Sequence, residues 1–189
     1  MPEKYKIGVM KKINAIDLDK TLIPFDSFRI LIFSYLKQKN YLTLLVFYLL
    51  LRKMRLIGSG EFKYRALMIL RKDKQYQDLL LVLVKKVMSA IRQDIIEAID
   101  QETDADTINV LISASPTDYV RLVAEELNWP CLGSKIENGK FIHCYGLKKK
   151  ELLLTNYPRE KLLYNFAISD SASDLPMLQM FRRHKLVSR

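Results

Sequence analysis

Two aspartates stand two positions apart at the end of an apolar run in the stretch INAIDLDKTLIPFDSF, residues 13 to 28. Asp17 and Asp19 follow residues that predict a buried strand, and in an open α/β sheet ligands bind beyond the carboxyl ends of the strands. Two carboxylates this close repel each other unless they share a proton or a cation. The stretch contains no Cys or His, so its hard oxygen ligands favour Mg²⁺ as that cation.

Two neighbouring carboxylates of this kind can perform phosphoryl transfer. One carboxylate beside Mg²⁺ can attack a phosphorus atom and form an aspartyl phosphate. The second can donate a proton to the leaving group and later take one from water. Aspartates at this spacing could equally cap a turn, so Asp17 and Asp19 alone do not decide between a turn and a catalytic site.

Three further segments place polar side chains where strands end or helices begin. The apolar strand VLISAS contains Ser113 near its end, a hydroxyl that could donate to a phosphate oxygen. The segment CYGLKKKELL offers a lysine at a helix start, where the ammonium and the helix dipole both favour an anion. FAISDSASDLPML ends a third strand with Asp170 and Asp174, which supply further carboxylates for a metal. Together these segments predict a site for phosphate and Mg²⁺.

The elements that must position these residues follow an α/β pattern with a helical insert. The strand before Asp17 is followed, from Phe28 to about Asp100, by long helical stretches with few Gly and no Pro. From Ile108 short strands alternate with helices, and Asn138-Gly139 between apolar residues predicts a hairpin.

Composition and charge limit the class of protein. The 189 residues are long enough for one well-buried core, or a core with a modest insertion, but short for two large domains, and a hydrophobic fraction of 49% argues against a disordered chain. The 31 Lys and Arg against 21 Asp and Glu give a net charge of +10, which favours anionic partners. With only two cysteines, Cys131 and Cys144, and no signal peptide pattern, we expect a cytoplasmic protein with free thiols.

The most apolar stretch, YLTLLVFYLLL, spans residues 41 to 51 of the helical insert. It is shorter than the roughly 20 residues that a membrane-spanning helix needs, so we predict no transmembrane helix here. We expect it to pack into the insert's own core. The alternative is an exposed face that rests on an anionic membrane or admits an apolar substrate. The basic residues that flank the stretch are Lys37, Lys39, Arg52, Lys53 and Arg55.

These motifs resemble those of the haloacid dehalogenase superfamily, and within it the phosphoserine phosphatase-like branch, whose helical cap is inserted after the first motif. The resemblance covers nearly the whole chain through D-x-D-x-T, the strand-end serine, the lysine segment and DSASD. It implies an α/β fold with a Rossmann-like core at residues 1–24 and 105–189 and an α-helical cap at residues 25–104. It also implies a Mg²⁺-dependent phosphatase that forms an aspartyl phosphate.

The resemblance assigns the acidic residues their roles. Asp17 would be the nucleophile, and Asp19 would be the general acid and base. Asp170 would bind Mg²⁺ together with the backbone carbonyl of Asp19, while Asp174 would contact the groups that hold the metal. The residues implied in metal binding are therefore Asp17, Asp19, Asp170 and Asp174.

The resemblance also points to the groups that bind substrate. Ser113 and a lysine would bind the transferred phosphoryl group, and the G-x-x-K pattern selects Lys149 over the adjacent Lys148 and Lys150. Asp26 stands where phosphoserine phosphatases carry a glutamate that binds the substrate's amino group. It could instead be the N-cap of the helix that follows.

Two positions depart from the pattern of the branch. Lys20 stands where glycine is commonest, and it would add positive charge near the phosphate. Ser169 replaces the glycine that usually precedes the fourth-motif aspartate, as in membrane-lipid phosphatases of the branch. Other basic side chains receive a structural interpretation: the histidines are expected outside the site, and the helix arginines are expected to be solvated, although they could reach a second anionic group. These residues are His143, His184, Arg52, Arg55, Arg65 and Arg71.

We therefore expect hydrolysis of a small phosphorylated metabolite such as phosphoserine. One alternative is a membrane-associated lipid phosphatase similar to phosphatidylglycerophosphatase, in peripheral contact with an anionic membrane. A phosphotransferase would use the same chemistry with an acceptor alcohol in place of water. A basic module that binds nucleic acid without catalysis is disfavoured, because binding alone needs no carboxylate cluster, and we expect no nucleic-acid partner.

Overall fold

The computed structural model describes residues 10–38 and 44–187. Within these ranges six strands form one sheet in the order β4-β3-β2-β1-β5-β6. Neighbouring strands are parallel except for the antiparallel pair β3 and β4, so the predicted α/β fold is confirmed. The strands are β1 Lys12–Ile16, β2 Thr107–Pro116, β3 Cys131–Glu137, β4 Lys140–Ile142, β5 Leu163–Ser169 and β6 Arg183–Leu186.

Helices cover the sheet, and those of the predicted insert lie between β1 and β2 in the chain. In the part of the chain that the structure describes, this insert contains α1 Ser27–Gln38, α2 Leu44–Lys53, α3 Ser59–Leu70, α4 Tyr76–Met88 and α5 Gln93–Asp100. The helices of the remaining chain are α6 Thr117–Glu126, α7 Leu147–Asn156 and the short α8 Leu175–Leu178. We refer to α1–α5 as the cap.

The central strand β1 is buried because its side chains alternate between two apolar layers. Ile13 and Ala15 pack in the layer that contains α7 and α8, whereas Ile16 packs with α6 and the cap. A parallel sheet that is covered on both faces leaves its strand ends as the places where polar side chains can meet. The carboxyl ends of β1, β2 and β5 are adjacent in this sheet.

The predicted hairpin joins β3 to β4. Asn138 and Gly139 have φ values of 50° and 71°, the left-handed conformation that a two-residue turn of this type requires. The hairpin prediction is therefore confirmed. The strand β4 leads directly to His143 and Cys144, and then to the start of α7.

The helix α2 differs from our expectation of a helix that packs inward. Leu45 is buried, and Tyr48 and Leu49 pack against the cap core, but Leu44, Phe47 and Leu50 are 57%, 51% and 53% exposed. The helix is apolar on more than one face, and the cap covers only one of them. The expectation is therefore wrong for the outer face. Residues 39–43, including Lys39, lie outside the described residues.

The apolar segment was also predicted not to cross a membrane. Within residues 10–38 and 44–187, no helix combines the length and the apolar character that a membrane span requires.

Candidate active site

Asp17 directly follows β1 and lies at the centre of a buried ionic cluster. Nζ of Lys149 donates hydrogen bonds to Oδ1 of Asp17 at 2.7 Å and to Oδ2 of Asp174 at 2.6 Å. Oγ1 of Thr21 donates to the other Asp17 oxygen at 3.1 Å. One ammonium group thus links two buried carboxylates, and the threonine of the D-x-D-x-T motif fixes the orientation of the first.

Burial and charge perturb both partners of the Asp17–Lys149 pair. The pKa of Asp17 is raised to about 6, mainly by burial; Lys149 opposes the rise, and the charges of Asp174 and Asp19 add to it. Burial alone would lower the pKa of Lys149, but the charges of Asp17 and Asp174 raise it above its usual value. Lys149 is therefore a permanent cation at neutral pH, placed where a phosphate group could meet it.

The start of α7 explains why Lys149 enters the site and its neighbours do not. Gly146 precedes the helix with a φ of 57°, a conformation that favours glycine, and Lys149 lies in the first turn. Lys149 is 1% exposed. Lys148 points outward and forms an exposed pair with Glu151 at 2.8 Å, and Lys150 is half-buried outside the cavity.

Asp19 is held by hydroxyl groups from the cap and from β2. Its Oδ1 accepts hydrogen bonds from the backbone N of Ser27 at 2.6 Å and from Oγ of Ser27 at 2.5 Å. Its Oδ2 accepts from Oγ of Ser115. Oγ of Ser27 also lies 2.8 Å from the hydroxyl of the buried Tyr119. Ser27 begins α1, so the first cap helix starts on this carboxylate.

Burial raises the pKa of Asp19, and the charge of Asp26 contributes to the rise, while hydrogen bonds from Ser115 and Ser27 oppose it. A carboxyl group with a raised pKa is a better proton donor near neutral pH than an ordinary aspartate. The sequence analysis missed Ser27, Ser115 and Tyr119. The only sequence signals were the second serine of VLISAS and the serine that follows Asp26.

The other strand ends bring the remaining predicted residues to the same place. Ser113, near the end of β2, is 1% exposed, and its Oγ accepts a hydrogen bond from the backbone N of Ser115 at 3.1 Å. Asp170 directly follows β5. Oγ of Ser169 donates to Oδ2 of Asp174 at 2.7 Å, a hydrogen bond that a glycine at this position could not make.

The acidic residues, Ser113 and Lys149 line a single cavity with a volume of about 400 Å³. Most of the residues that line it carry charged or hydroxyl side chains, and cations and carboxylates are interspersed, as in the contacts of Lys149 with Asp17 and Asp174. The predicted residues that line it are Asp17, Asp19, Asp26, Ser113, Lys149, Asp170 and Asp174.

Lys63 is a cap residue of this cavity that the sequence analysis missed. It lies on α3, and its Nζ donates to the backbone carbonyl of Ala114 in β2 at 2.7 Å. Burial lowers its pKa, and the charges of Asp19 and the other carboxylates of the cavity oppose this effect. Lys63 therefore joins the cap to the strand that carries Ser113, and it adds a cation to the cavity.

Arg52 and His143 also line the cavity, although both were assigned structural roles from the sequence. Arg65 and Arg71 instead form ion pairs with Glu61 and Asp118. His143 stacks between Phe141 and Tyr145. Burial and the charge of Lys63 lower its pKa to about 4, so it is neutral at pH 7.

Asp26 and Lys20 lie at the rim of the cavity. Oδ1 of Asp26 accepts a hydrogen bond from the backbone N of Arg29 at 2.8 Å, so this residue caps α1 and also faces the cavity. Lys20 has a φ of 59°, which explains why glycine is commonest at this position. Both sequence-based alternatives for Asp26 are thus compatible with its position.

Comparison with known proteins identifies the family. A family model described as haloacid dehalogenase-like hydrolase matches residues 15–179, which is most of the chain. The chain belongs to this family. No curated protein sequence matches it significantly.

Solved structures share the fold of this haloacid dehalogenase-like hydrolase at low sequence identity. A protein with unknown function from Bordetella pertussis Tohama I has a TM-score of 0.66 at 13% identity over 93% of this chain and 89% of its own. A haloacid dehalogenase family hydrolase from Salmonella enterica serovar Typhi has a TM-score of 0.62 at 14% identity over 91% of this chain. This chain spans 61% of the length of that hydrolase. A phosphoserine phosphatase, described as a phospho-aspartyl intermediate analogue, has a TM-score of 0.53 at 13% identity over 93% of this chain and 85% of its own.

The donor groups of this haloacid dehalogenase-like hydrolase fit Mg²⁺. Among the described residues, no three Asp, Glu, His or Cys side chains form a group that could hold a metal by themselves. Asp17 and Asp170 line the cavity, whereas both side-chain oxygens of Asp19 are engaged by serines. One or two carboxylates with other oxygens and water are the ligands that Mg²⁺ usually takes.

Proposed function

We propose that this hydrolase is a Mg²⁺-dependent phosphomonoesterase that works through an aspartyl phosphate on Asp17. The observation that carries the proposal is the arrangement at the end of β1. There a buried carboxylate is oriented by Thr21 and Lys149 beside Asp19, whose pKa burial raises. A nucleophile and a proton donor two residues apart are what the two half-reactions require.

In the first half-reaction, an Asp17 oxygen attacks the phosphorus atom of the substrate. The new bond joins that oxygen to phosphorus, and the bond from phosphorus to the leaving alcohol oxygen breaks with its electron pair. Asp19 donates its proton to that oxygen, so the alcohol departs neutral. The hydroxyl of Ser113 and the ammonium of Lys149 supply positive charge to the phosphoryl oxygens as the bond breaks.

In the second half-reaction, water attacks the phosphorus atom of the aspartyl phosphate. Asp19, now ionised, takes a proton from the water, and the bond to the Asp17 oxygen breaks. Inorganic phosphate leaves, and both carboxyl groups return to their starting states. The hydrogen bonds from Ser27 and Ser115 keep Asp19 in one orientation for both proton transfers.

Mg²⁺ would be held by Asp17, by Asp170 and by the backbone carbonyl of Asp19. When bound, it neutralises the negative charge of the phosphate and of the surrounding carboxylates. The raised pKa of Asp17 supports this role, because burial and the neighbouring Asp174 and Asp19 make its negative charge costly. The carboxylate of Asp174 accepts hydrogen bonds from Lys149 and Ser169, and in this proposal it positions the lysine.

Two observations bear on the alternative functions. Membership of a hydrolase family supports an enzyme over the nucleic-acid-binding module. The cavity also contains groups that could bind phosphoserine, with Asp26 for the amino group and Arg52 or Lys63 for the carboxylate.

A phosphotransferase would transfer the phosphoryl group to an acceptor alcohol. This activity would show as alkyl phosphate formation when an alcohol is added to the assay.

Hydrolysis of p-nitrophenyl phosphate with and without Mg²⁺ tests the proposal. EDTA should abolish turnover and Mg²⁺ should restore it. Asp170→Ala should raise the Mg²⁺ concentration that gives half-maximal rate by at least tenfold, whereas Asp78→Ala, at an exposed position on α4, should not change it. Full activity in EDTA, or an unchanged Mg²⁺ requirement for Asp170→Ala, would contradict the assignment.

A further inference from the structure

A second cavity lies beside the catalytic one, between the helices α1, α2 and α3. Its volume is about 210 Å³. Much of its wall is apolar, and we call it the apolar groove. Its apolar residues are Phe28, Ile32, Phe33, Leu49 and Phe62.

The apolar groove adjoins the catalytic cavity. Four residues line both spaces, so the two share a common wall: Asp26, Arg52, Ser59 and Lys63. A molecule whose phosphate lies at Asp17 would reach the groove by passing between these shared residues, two of which are basic. Phe33 is 50% exposed, so the groove is open to solvent at this residue.

The composition of the groove selects among leaving groups. The charged groups of a leaving serine could be met by Asp26, Arg52 or Lys63, but most of the rest of the groove wall is aromatic or aliphatic, and polar groups without partners are costly to bury there. Binding of an aliphatic chain there is favourable, because it removes apolar surface of both the chain and the groove wall from water. The basic side chains Arg52 and Lys63 stand where the anionic end of such a molecule must pass.

We propose that the substrate is an amphiphilic phosphate monoester, whose leaving alcohol carries an aliphatic chain that lies in the apolar groove. This inference rests on the proposed phosphatase function and adds the class of leaving group. The reaction is the one already described: the bond between phosphorus and the alcohol oxygen breaks, water supplies the new oxygen and proton, and a long-chain alcohol leaves. No other reactant is required.

A series of n-alkyl phosphates of increasing chain length tests this inference, with each ester kept below its micelle concentration and phosphoserine measured in parallel. The wild-type kcat/KM should rise at least tenfold from ethyl to octyl phosphate and should exceed the value for phosphoserine. Hydrolysis of short esters or of phosphoserine without any gain from chain length would overturn the inference and leave the proposed function intact. If no ester is hydrolysed, both fall.

A matched pair of variants locates the chain. Phe33→Asp places a charge at the open end of the groove, and Leu81→Asp places one at a position of similar exposure on α4, outside the groove. Phe33→Asp should remove most of the gain with chain length while the rate with ethyl phosphate stays near wild type, and Leu81→Asp should change neither. If Phe33→Asp unfolds, Phe33→Ser takes its place. A chain-length gain that survives the change at Phe33 would contradict the proposed position of the chain.

Discussion

The catalytic cavity and the apolar groove adjoin each other, but they are built by different means. In the cavity, each reactive side chain is held by buried hydrogen bonds, such as those from Lys149 to Asp17 and from Ser27 to Asp19. In the groove, side chains from three helices meet through apolar contact, and some remain half exposed. In the function proposed here the cavity determines the reaction, and substitutions in the groove would change which substrates are accepted with little effect on the chemistry.

The largest expected effect comes from the nucleophile itself. Asp17→Asn should abolish turnover of every phosphate ester, because an amide cannot form the acyl phosphate, and the nearly isosteric change should leave the fold intact. Asp19→Asn should also reduce turnover severely, by removing the proton donor. Steady-state kinetics with p-nitrophenyl phosphate and circular dichroism measure both. If Asp17→Asn retains more than about a tenth of the wild-type kcat, a barrier change near 1.4 kcal/mol, the covalent mechanism is contradicted.

The next effect concerns the stability of the ionic cluster. Lys149→Ala removes the cation between two buried carboxylates, and breaking a buried ion pair lowers the free energy of unfolding by about 3–5 kcal/mol. Lys148→Ala, at the adjacent exposed pair with Glu151, should cost less than about 1 kcal/mol. Chemical denaturation of the two variants makes the comparison. Equal losses would show that the cluster contributes no more than a surface pair.

Lys149 illustrates how far the sequence predicts the site. Catalytic groups stand at strand ends, and strands have a strong apolar signal, so the meeting of Asp17, Ser113 and Asp170 follows from the order of elements. The resemblance to the G-x-x-K pattern of the branch favoured Lys149 over its neighbours, and the structure buries this side chain in the first turn of α7. Ser115 and Ser27 were missed, because their contacts with Asp19 depend on how β2 and the first cap helix meet it, which their local sequence does not specify.

The cap was less predictable, for a physical reason. Its helices were expected, but which face of α2 would be covered depends on how much apolar surface the neighbouring helices offer. Phe47 and Leu50 are as apolar as Leu45, yet only Leu45 is buried. The apolar groove has the same origin, because it arises from the spacing between three helices and no local sequence pattern specifies that spacing.

Binding to anionic vesicles should show a smaller effect, and it should depend on residues of the cap and not on Asp17. The exposed apolar residues of α2, with the neighbouring Arg52 and Lys53, should give binding to anionic vesicles worth about 1 kcal/mol per basic residue near the surface. Co-sedimentation should weaken as salt is raised, and it should be the same for wild type and Asp17→Asn. Binding that is lost with Asp17→Asn, or that is insensitive to salt, would contradict this separation.

The smallest expected effect lies at the rim of the catalytic cavity. Lys20 has a left-handed backbone that costs roughly 1 kcal/mol for a residue with a side chain. Lys20→Gly should therefore raise the free energy of unfolding by about that amount, unless the greater freedom of glycine in the unfolded chain offsets it. Denaturation measures the balance, and a loss of stability would show that the lost Lys20 contacts and the freedom of glycine in the unfolded chain together outweigh the strain.

The most direct test of the account is to trap the phosphorylated enzyme. Acid quenching during turnover, followed by borohydride reduction, converts an aspartyl phosphate to homoserine, and trypsin releases the peptide INAIDLDK, residues 13 to 20. Fragmentation in a mass spectrometer distinguishes its two aspartates. The account predicts homoserine at position 17 in wild type and none in Asp17→Asn. Homoserine at position 19, or an unmodified peptide from enzyme that is turning over substrate, would contradict it.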